Sequence, residues 1–104
     1  MTRVGLKMKL TPGVEAEYKK RHDEIWPELK QKLTELGVYD YVIYLDQETH
    51  ILFASLKLKE NHSADSIPDQ EIVKKWWAYM QDIMETKADH SPVEVTLQEV
   101  FYMD

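Results

Sequence analysis

The 104-residue sequence contains no cysteine and only three glycines. Without cysteine, a chain cannot form disulfides, bind zinc through thiolates or use a thiol nucleophile. Three scattered glycines cannot form the glycine-rich loop that cradles phosphates. The absence of disulfides suits a reducing compartment, and we therefore expect a cytoplasmic protein.

Long hydrophobic runs and excess positive charge are lacking as well. No stretch approaches the roughly 20 apolar residues of a membrane span, and the first ten residues alternate apolar and polar side chains, unlike a signal peptide. The net charge of −6 opposes binding to nucleic acid or to an anionic membrane surface. The four histidines lack metal-ligand spacing, and no cofactor motif is present, so we expect neither a metal nor a cofactor.

Apolar periodicity predicts a single domain over residues 1–104, a length that suits one domain. Alternation predicts strands, and apolar residues three or four apart predict helices. The predicted strands are 3–10, 38–45, 51–58 and 93–102, and the predicted helices are 14–36 and 68–84. Residues 59–66 and 85–92 are predicted loops, and Gly37 is a candidate C-terminal cap of the first helix.

The element order β-α-β-β-α-β, with a hairpin in the middle and right-handed crossovers, predicts an α+β fold. We expect a ferredoxin-like βαββαβ antiparallel sheet with two helices on one face. The second strand is apolar on both sides, with one side expected to carry Tyr39, Tyr41, Ile43 and Leu45 and the other Val38, Val42 and Tyr44. The last strand is expected to present Leu97 and Phe101 opposite Val100 and Tyr102. A helix-free apolar face would be a large exposed patch, so we expect a homodimer through the open sheet face.

A proline interrupts the first predicted helix beside a histidine. His22 lies on the apolar stripe between Tyr18 and Ile25, and Pro27 follows within two turns. Proline inside a helix costs about 3 kcal/mol and kinks it, so we expect one long helix with a kink that opens a cavity at His22. An imidazole at the opening of such a cavity can act as an acid or a base at neutral pH. The alternative is a core histidine satisfied by one hydrogen bond.

The adjacent tryptophans Trp76 and Trp77 lie about 100° apart on the second helix and cannot both point straight into the core. Pure packing is one interpretation; the other is that the pair walls a groove. Flat aromatic faces suit the apolar C–H groups of a sugar, and Tyr18 and Tyr41 could supply hydroxyl contacts from the facing helix and strand.

Four segments, YKKRHDEIWPEL, VIYLD, KKWWAYMQDIM and HSPVEVTLQEVFY, together resemble the L-rhamnose mutarotase family over nearly the whole chain. The resemblance implies a dimeric α/β-barrel protein of ferredoxin-like type. It implies that His22 is the catalytic proton donor and that Tyr18, Tyr41, Trp76 and Trp77 contact the sugar. The chain departs from the family pattern at residues 60–69 and 87–90.

The expected reaction is the interconversion of the α and β anomers of L-rhamnose by acid/base-assisted ring opening and closure. In this hypothesis His22 protonates the ring oxygen, while a tyrosine hydroxyl or a bound water handles the anomeric hydroxyl. Two rival hypotheses remain at this point. One is a dimeric α/β-barrel oxygenase or haem-handling protein with His22 as ligand, and the other is a non-catalytic small-molecule sensor.

Overall fold

The computed structural model describes all residues from 1 to 104. It contains four strands and three α-helices, with a 3-10 helix at Ala64–Asp69 between the third strand and the third α-helix. The strands are β1 (Thr2–Lys9), β2 (Val38–Asp46), β3 (Ile51–Leu58) and β4 (Glu94–Leu97), and the helices are α1 (Glu15–Asp23), α2 (Pro27–Glu35) and α3 (Glu71–Met80). None of these helices is long and apolar enough to cross a membrane.

The four strands form one sheet in the order β2-β3-β1-β4, and every neighbouring pair is antiparallel. The predicted α+β class and antiparallel sheet are therefore confirmed. Directly opposed residues of neighbouring strands lie on the same face of a sheet. Met8 of β1 and its partner Leu52 of β3 therefore point to one face. That face is covered by all three helices and carries the core, which comprises Met8, Leu10, Tyr18, Leu29, Leu52, Ala54, Val73, Trp76, Met80, Ile83 and Met84.

The predicted single kinked helix is wrong, because the chain forms two helices separated by residues 24–26. Pro27 is the first residue of α2, where its missing N–H removes no helical bond. The residue before it, Trp26, is extended with φ −61° and ψ 128°, as a residue preceding proline prefers. The expected penalty is thus avoided by ending one helix before the proline and starting the next at it.

The alternation predicted for β2 is also wrong, because a β-bulge lies between Tyr39 and Val42. Asp40 has a positive φ of 49°, and two residues of β2 oppose one of β3, which reverses the sides that follow. Val38 and Ile43 therefore both pack toward the helices, although the uninterrupted pattern predicted opposite faces. The bulge depends on pairing with β3, which local periodicity does not report.

The last strand is shorter than the predicted 93–102. Its pairing with β1 stops at Gly5 and Leu97, and the side chains of Val100, Phe101, Tyr102 and Met103 are exposed. The tail is attached through Arg3, whose guanidinium lies 3.7 Å from the Tyr102 ring centroid and 3.5 Å from Glu99. The expected two-sided strand at Phe101 and Tyr102 is therefore wrong, since apolar alternation makes a strand only where a partner strand pairs with it.

The second predicted helix, 68–84, is shorter in the structure and begins at Glu71. Pro68 belongs to the 3-10 helix, which also covers the end of the predicted loop 59–66. The α-helix ends at Met80, while Ile83 and Met84 stay buried beyond it. Met84 instead forms an isolated bridge with Leu10, so these apolar residues fit the core without belonging to the helix.

Candidate functional site

His22 lies at the end of α1 among aromatic rings. Its ring stacks on Tyr18 at a centroid distance of 4.3 Å and an interplanar angle of 29°. It meets the ring of Trp76 edge-on at 5.4 Å and 89°. Because helical residues four apart share a face, the spacing of Tyr18 and His22 already predicted that they lie together, and α3 brings Trp76 to them.

The hydrogen bonding of His22 leaves one ring nitrogen free. Nδ1 is 3.1 Å from the carbonyl oxygen of Tyr18, and since a carbonyl only accepts, Nδ1 carries the proton in this bond. Nε2 has no protein partner, and no buried polar side-chain atom lacks a hydrogen bond, so Nε2 is accessible to solvent. A histidine serving only the core would not need an open nitrogen.

Burial lowers the pKa of His22, and the hydrogen bond to the Tyr18 carbonyl and the Asp23 carboxylate partly oppose this shift. The ring is therefore mainly neutral at pH 7, with an available lone pair on Nε2. A site of this kind can accept a proton readily and donate one from its protonated fraction.

The two tyrosines of the site remain protonated at neutral pH. Burial raises the pKa of Tyr18, and the neighbouring Tyr41 raises it further. The pKa of Tyr41 is raised to about 12, mainly by burial and to a lesser extent by the Glu94 carboxylate. Both phenols are thus available as hydrogen-bond donors and acceptors.

Tyr41 is partly exposed and is not sealed in the core. Its hydroxyl lies in dense surroundings that raise the pKa, yet 45% of the residue remains accessible. The Tyr18 hydroxyl likewise has no protein partner although the residue is buried, so its oxygen reaches solvent. Tyr41 lies close enough to Tyr18 to raise its pKa, and the Tyr18 ring stacks on His22.

The two adjacent tryptophans have different surroundings. Trp76 is buried and in ring contact with His22. Trp77 is half-buried and packs against the edge of the core, and none of the aromatic ring contacts at His22 involves it. The structure thus brings Tyr18, His22 and Trp76 into ring contact. Tyr41 is linked to them through its effect on the pKa of Tyr18, and no ring contact joins Trp77 to them.

Three site residues were missed by the sequence interpretation. Trp26 meets Trp76 edge-on at 5.1 Å and lies 5.4 Å from Tyr79. Glu94 pairs with Met8 across β1 and β4 and thus points to the helix side, where burial raises its pKa. The position of Trp26 directly before Pro27 and the i,i+3 spacing of Trp76 and Tyr79 were available signals; nothing local indicated Glu94.

No group of three or more His, Asp or Glu side chains is placed to hold a metal ion. Two surface grooves are lined by residues other than His22. One, of about 260 Å³, is lined by Glu28, Gln31, Lys32, Glu35 and Ile72, and the other, of about 180 Å³, lies beside Pro12 and Glu85. Neither groove is lined by a histidine or an aromatic ring, so neither offers the combination of groups found at His22.

Comparisons with known proteins identify one family of relatives. The sequence model of the L-rhamnose mutarotase family matches residues 3–103. L-rhamnose mutarotase of Brucella anthropi is 58% identical over 97% of this chain and 95% of its own length. That of Phocaeicola vulgatus is 55% identical over the full length of both chains.

Solved structures extend the comparison to the fold. A crystal structure of L-rhamnose mutarotase from Formosa agariphila covers all of both chains at 48% identity and a TM-score of 0.93. A Pseudomonas aeruginosa structure at 9% identity and a TM-score of 0.58 shares the fold alone. The resemblance predicted from the four sequence segments is confirmed, and the chain belongs to the L-rhamnose mutarotase family.

Proposed function

We propose that His22 is the acid–base catalyst with which this member of the L-rhamnose mutarotase family interconverts the α and β anomers of the sugar. The observation that carries the proposal is the open Nε2 of His22, held in place by the hydrogen bond from Nδ1 to Tyr18 and bordered by aromatic rings. It supports a histidine with a catalytic role over one that only fills the core.

In the proposed reaction, the protonated form of His22 passes the proton on Nε2 to the ring oxygen as the anomeric hydroxyl loses its proton. The bond between the anomeric carbon and the ring oxygen breaks, and an open-chain aldehyde forms. Rotation of the aldehyde and closure onto its other face reverse both proton transfers, so His22 regains its proton. General acid–base help of this kind gives about 10²–10⁴-fold, or roughly 3–5 kcal/mol. The proposal needs no metal and no coenzyme.

The second proton-handling group is a tyrosine hydroxyl or a bound water. The raised pKa values of Tyr18 and Tyr41 keep both phenols neutral, so a tyrosine would accept the anomeric proton only while passing its own proton on. The sugar contacts are Tyr18, Tyr41, Trp76 and Trp77. Of these, Trp77 is the least supported by geometry, since it lies outside the ring contacts at His22. The apolar ring faces suit the methyl group of a deoxy sugar.

The assembly we propose is a cytoplasmic homodimer of ferredoxin-like, dimeric α/β-barrel type, formed through the open sheet face. The antiparallel order β2-β3-β1-β4 supports the fold type. The helix-free face supports the dimer, because it exposes the apolar side chains of Val42, Tyr44, Phe53, Val95 and Leu97.

The test is saturation-transfer NMR on equilibrated L-rhamnose with wild type and with His22→Asn. Wild type should carry saturation between the anomeric proton signals, and His22→Asn should lower the exchange rate by about 10²–10⁴-fold. His90→Asn is the matched control, because His90 is exposed and its φ of 70° is tolerated by asparagine. Equal rates for His22→Asn and wild type would move the proton donor elsewhere. A wild type without effect on L-rhamnose would overturn the assigned substrate.

The rival hypotheses predict other outcomes. A haem-handling protein would show a Soret band after incubation with haem, with His22→Asn removing it. A sensor would bind the sugar without accelerating exchange. Family membership favours the mutarotase over both.

A further inference from the structure

The guanidinium of Arg21 joins α1 to the end of α3. Nη1 donates to the carbonyl oxygen of Tyr79 at 2.8 Å and to Asp82 at 2.9 Å, and Nη2 donates to the second carboxylate oxygen of Asp82 at 3.2 Å. Nε donates to Glu17 at 2.8 Å, and the side chain is only 11% exposed. The planar fork of arginine makes such two-oxygen contacts with a carboxylate, and lysine cannot reproduce them.

The acceptors of Arg21 lie where α3 needs a partner. The last carbonyl groups of a helix have no partner within the helix, and a cation near that end is favoured by the helix dipole. Arg21 satisfies the Tyr79 carbonyl in the last turn of α3 and pairs with Asp82 just beyond it. The guanidinium therefore caps α3 from a different helix.

Few other polar contacts fix the orientation of α1, one of them between Glu15 and His50 at 3.3 Å. The helix has nine residues and no side-chain hydrogen bond at its N-terminus, and Tyr18 is its one buried residue. Isolated helices of this length are marginal in water, and a single buried side chain leaves rotation about the helix axis weakly constrained. The contacts of Arg21, which reach a second element 58 and 61 residues away, supply that constraint.

The two ends of this connection flank the ring contact at the site. Arg21 directly precedes His22, and Tyr79 lies one turn after Trp76. The guanidinium also lies 4.5 Å from the Tyr79 ring centroid. We propose that Arg21 is a positioning residue that holds α1 against α3 and thereby fixes His22 against Trp76. This inference rests on the proposed role of His22 in the reaction.

The experiment compares wild type, Arg21→Lys and Asp82→Asn by two measurements at 25 °C, the L-rhamnose exchange rate and the NMR titration of the His22 ring. Both variants keep side chains of similar size but lose the charged two-oxygen contact. We expect exchange to fall by about 10- to 100-fold, since small misplacements of a catalytic group have effects of that size. We also expect the His22 pKa to rise toward its ordinary value, because a looser contact with Trp76 admits water.

Lys32→Met is the matched control. Lys32 pairs with Glu35 within α2 at 3.4 Å, and neither residue is among the charges that shift the pKa of His22, so the variant should leave exchange and the His22 titration close to wild type. If Arg21→Lys and Asp82→Asn match wild type in both measurements, the proposal is wrong. A lower melting temperature with an unchanged His22 pKa and exchange rate would also overturn it, since that is the result of a purely structural contact.

Failure of the proposed function would look different. If wild type does not accelerate exchange, the proposed function fails, while the His22 titration still decides whether Arg21 positions the ring. If Arg21→Lys does not fold, Asp82→Asn answers the same question, because it weakens the contact from its exposed end.

Discussion

At the scale of single residues, the site combines one titratable ring with phenols that do not titrate near neutral pH. Burial lowers the pKa of His22 and raises those of Tyr18 and Tyr41. Desolvation disfavours the charged form in each case, which is a cation for histidine and an anion for tyrosine. One environment therefore keeps all three groups neutral at rest and leaves His22 as the group that changes charge most easily.

Tyr18→Phe tests whether the Tyr18 hydroxyl serves the sugar or only the fold. The ring stack on His22 would remain, and we expect unfolding stability to change by less than about 1 kcal/mol, because the hydroxyl has no protein partner. We expect catalytic efficiency to fall about tenfold, the value of one lost hydrogen bond. Steady-state anomer exchange and denaturant unfolding measure the two effects.

Tyr44→Phe is the control for this prediction, since Tyr44 lies on the opposite sheet face and is 64% exposed. Unchanged exchange by Tyr18→Phe would show that the Tyr18 hydroxyl does not contribute to the reaction.

Residue-scale prediction from the sequence was strongest where spacing within one helix decides contact. The i,i+4 relation placed Tyr18 beside His22. The contacts of Trp26 with Trp76 and of Arg21 with Asp82 join parts of the chain 50 or more residues apart, and local spacing carries no information about them. The same limit explains why Glu94 was not identified.

At the scale of elements, the break between α1 and α2 explains why the chain accepts a proline shortly after His22. Pro27 starts α2 at no loss of hydrogen bonding, and the turn formed by residues 24–26 ends α1 directly after the site histidine. Trp26 is held in that turn and reaches Trp76. The sequence predicted the place of the interruption and an opening beside it, but a kink where the structure has two helices.

The end of α2 depends on a glycine. Gly37 has φ +97°, and a Cβ there would lie 2.7 Å from the Cβ of His62, so the predicted helix cap is confirmed with an added steric reason. We expect Gly37→Ala to destabilise the protein by more than the roughly 1 kcal/mol that a positive φ costs alanine, because the backbone at His62 must also move. Urea unfolding measures this loss.

Gly13→Ala is the matched control, since Gly13 has φ +90° but no atom within 4 Å of the position that a Cβ would take. Equal losses for the two variants would show that the close approach to His62 has no energetic effect.

Strand prediction succeeded for β3, whose predicted bounds 51–58 agree with the structure, because its alternation is uninterrupted. It failed for β2 at the bulge and for β4 beyond Leu97. In both strands the deciding factor is which backbone groups of a neighbouring strand are available, and this is a property of the assembled sheet.

At the scale of the whole molecule, the sheet separates two surfaces with different roles. The helix-covered face holds the core and the site. The other face has no helix and exposes apolar side chains, among them Val95, which is 50% accessible. A patch of this kind on a small protein marks an interaction surface, which is why the dimer is proposed through it.

Val95→Lys tests that dimer. The side chain is half exposed in the single chain, so the fold should tolerate lysine, whereas a dimer interface would have to bury an unpaired charge. Light scattering after size exclusion should give about twice the 12.3 kDa chain mass for wild type and a larger monomer fraction for Val95→Lys. Gln31→Lys, an equal charge change on the exposed surface of α2, should remain dimeric. A wild type that is monomeric at micromolar concentration would contradict the assembly.

The most direct test of His22 as the proton donor is the pH dependence of L-rhamnose exchange, measured beside an NMR titration of the His22 ring. If His22 donates the proton, exchange below saturating sugar should rise about tenfold per unit as pH falls from 8 and level off below the His22 pKa. That pKa should lie under its ordinary value because burial lowers it. Agreement between the midpoint of the rate profile and the midpoint of the titration is the predicted result. A rate that falls as His22 becomes protonated, or a midpoint that does not follow His22, would contradict its role as the donor.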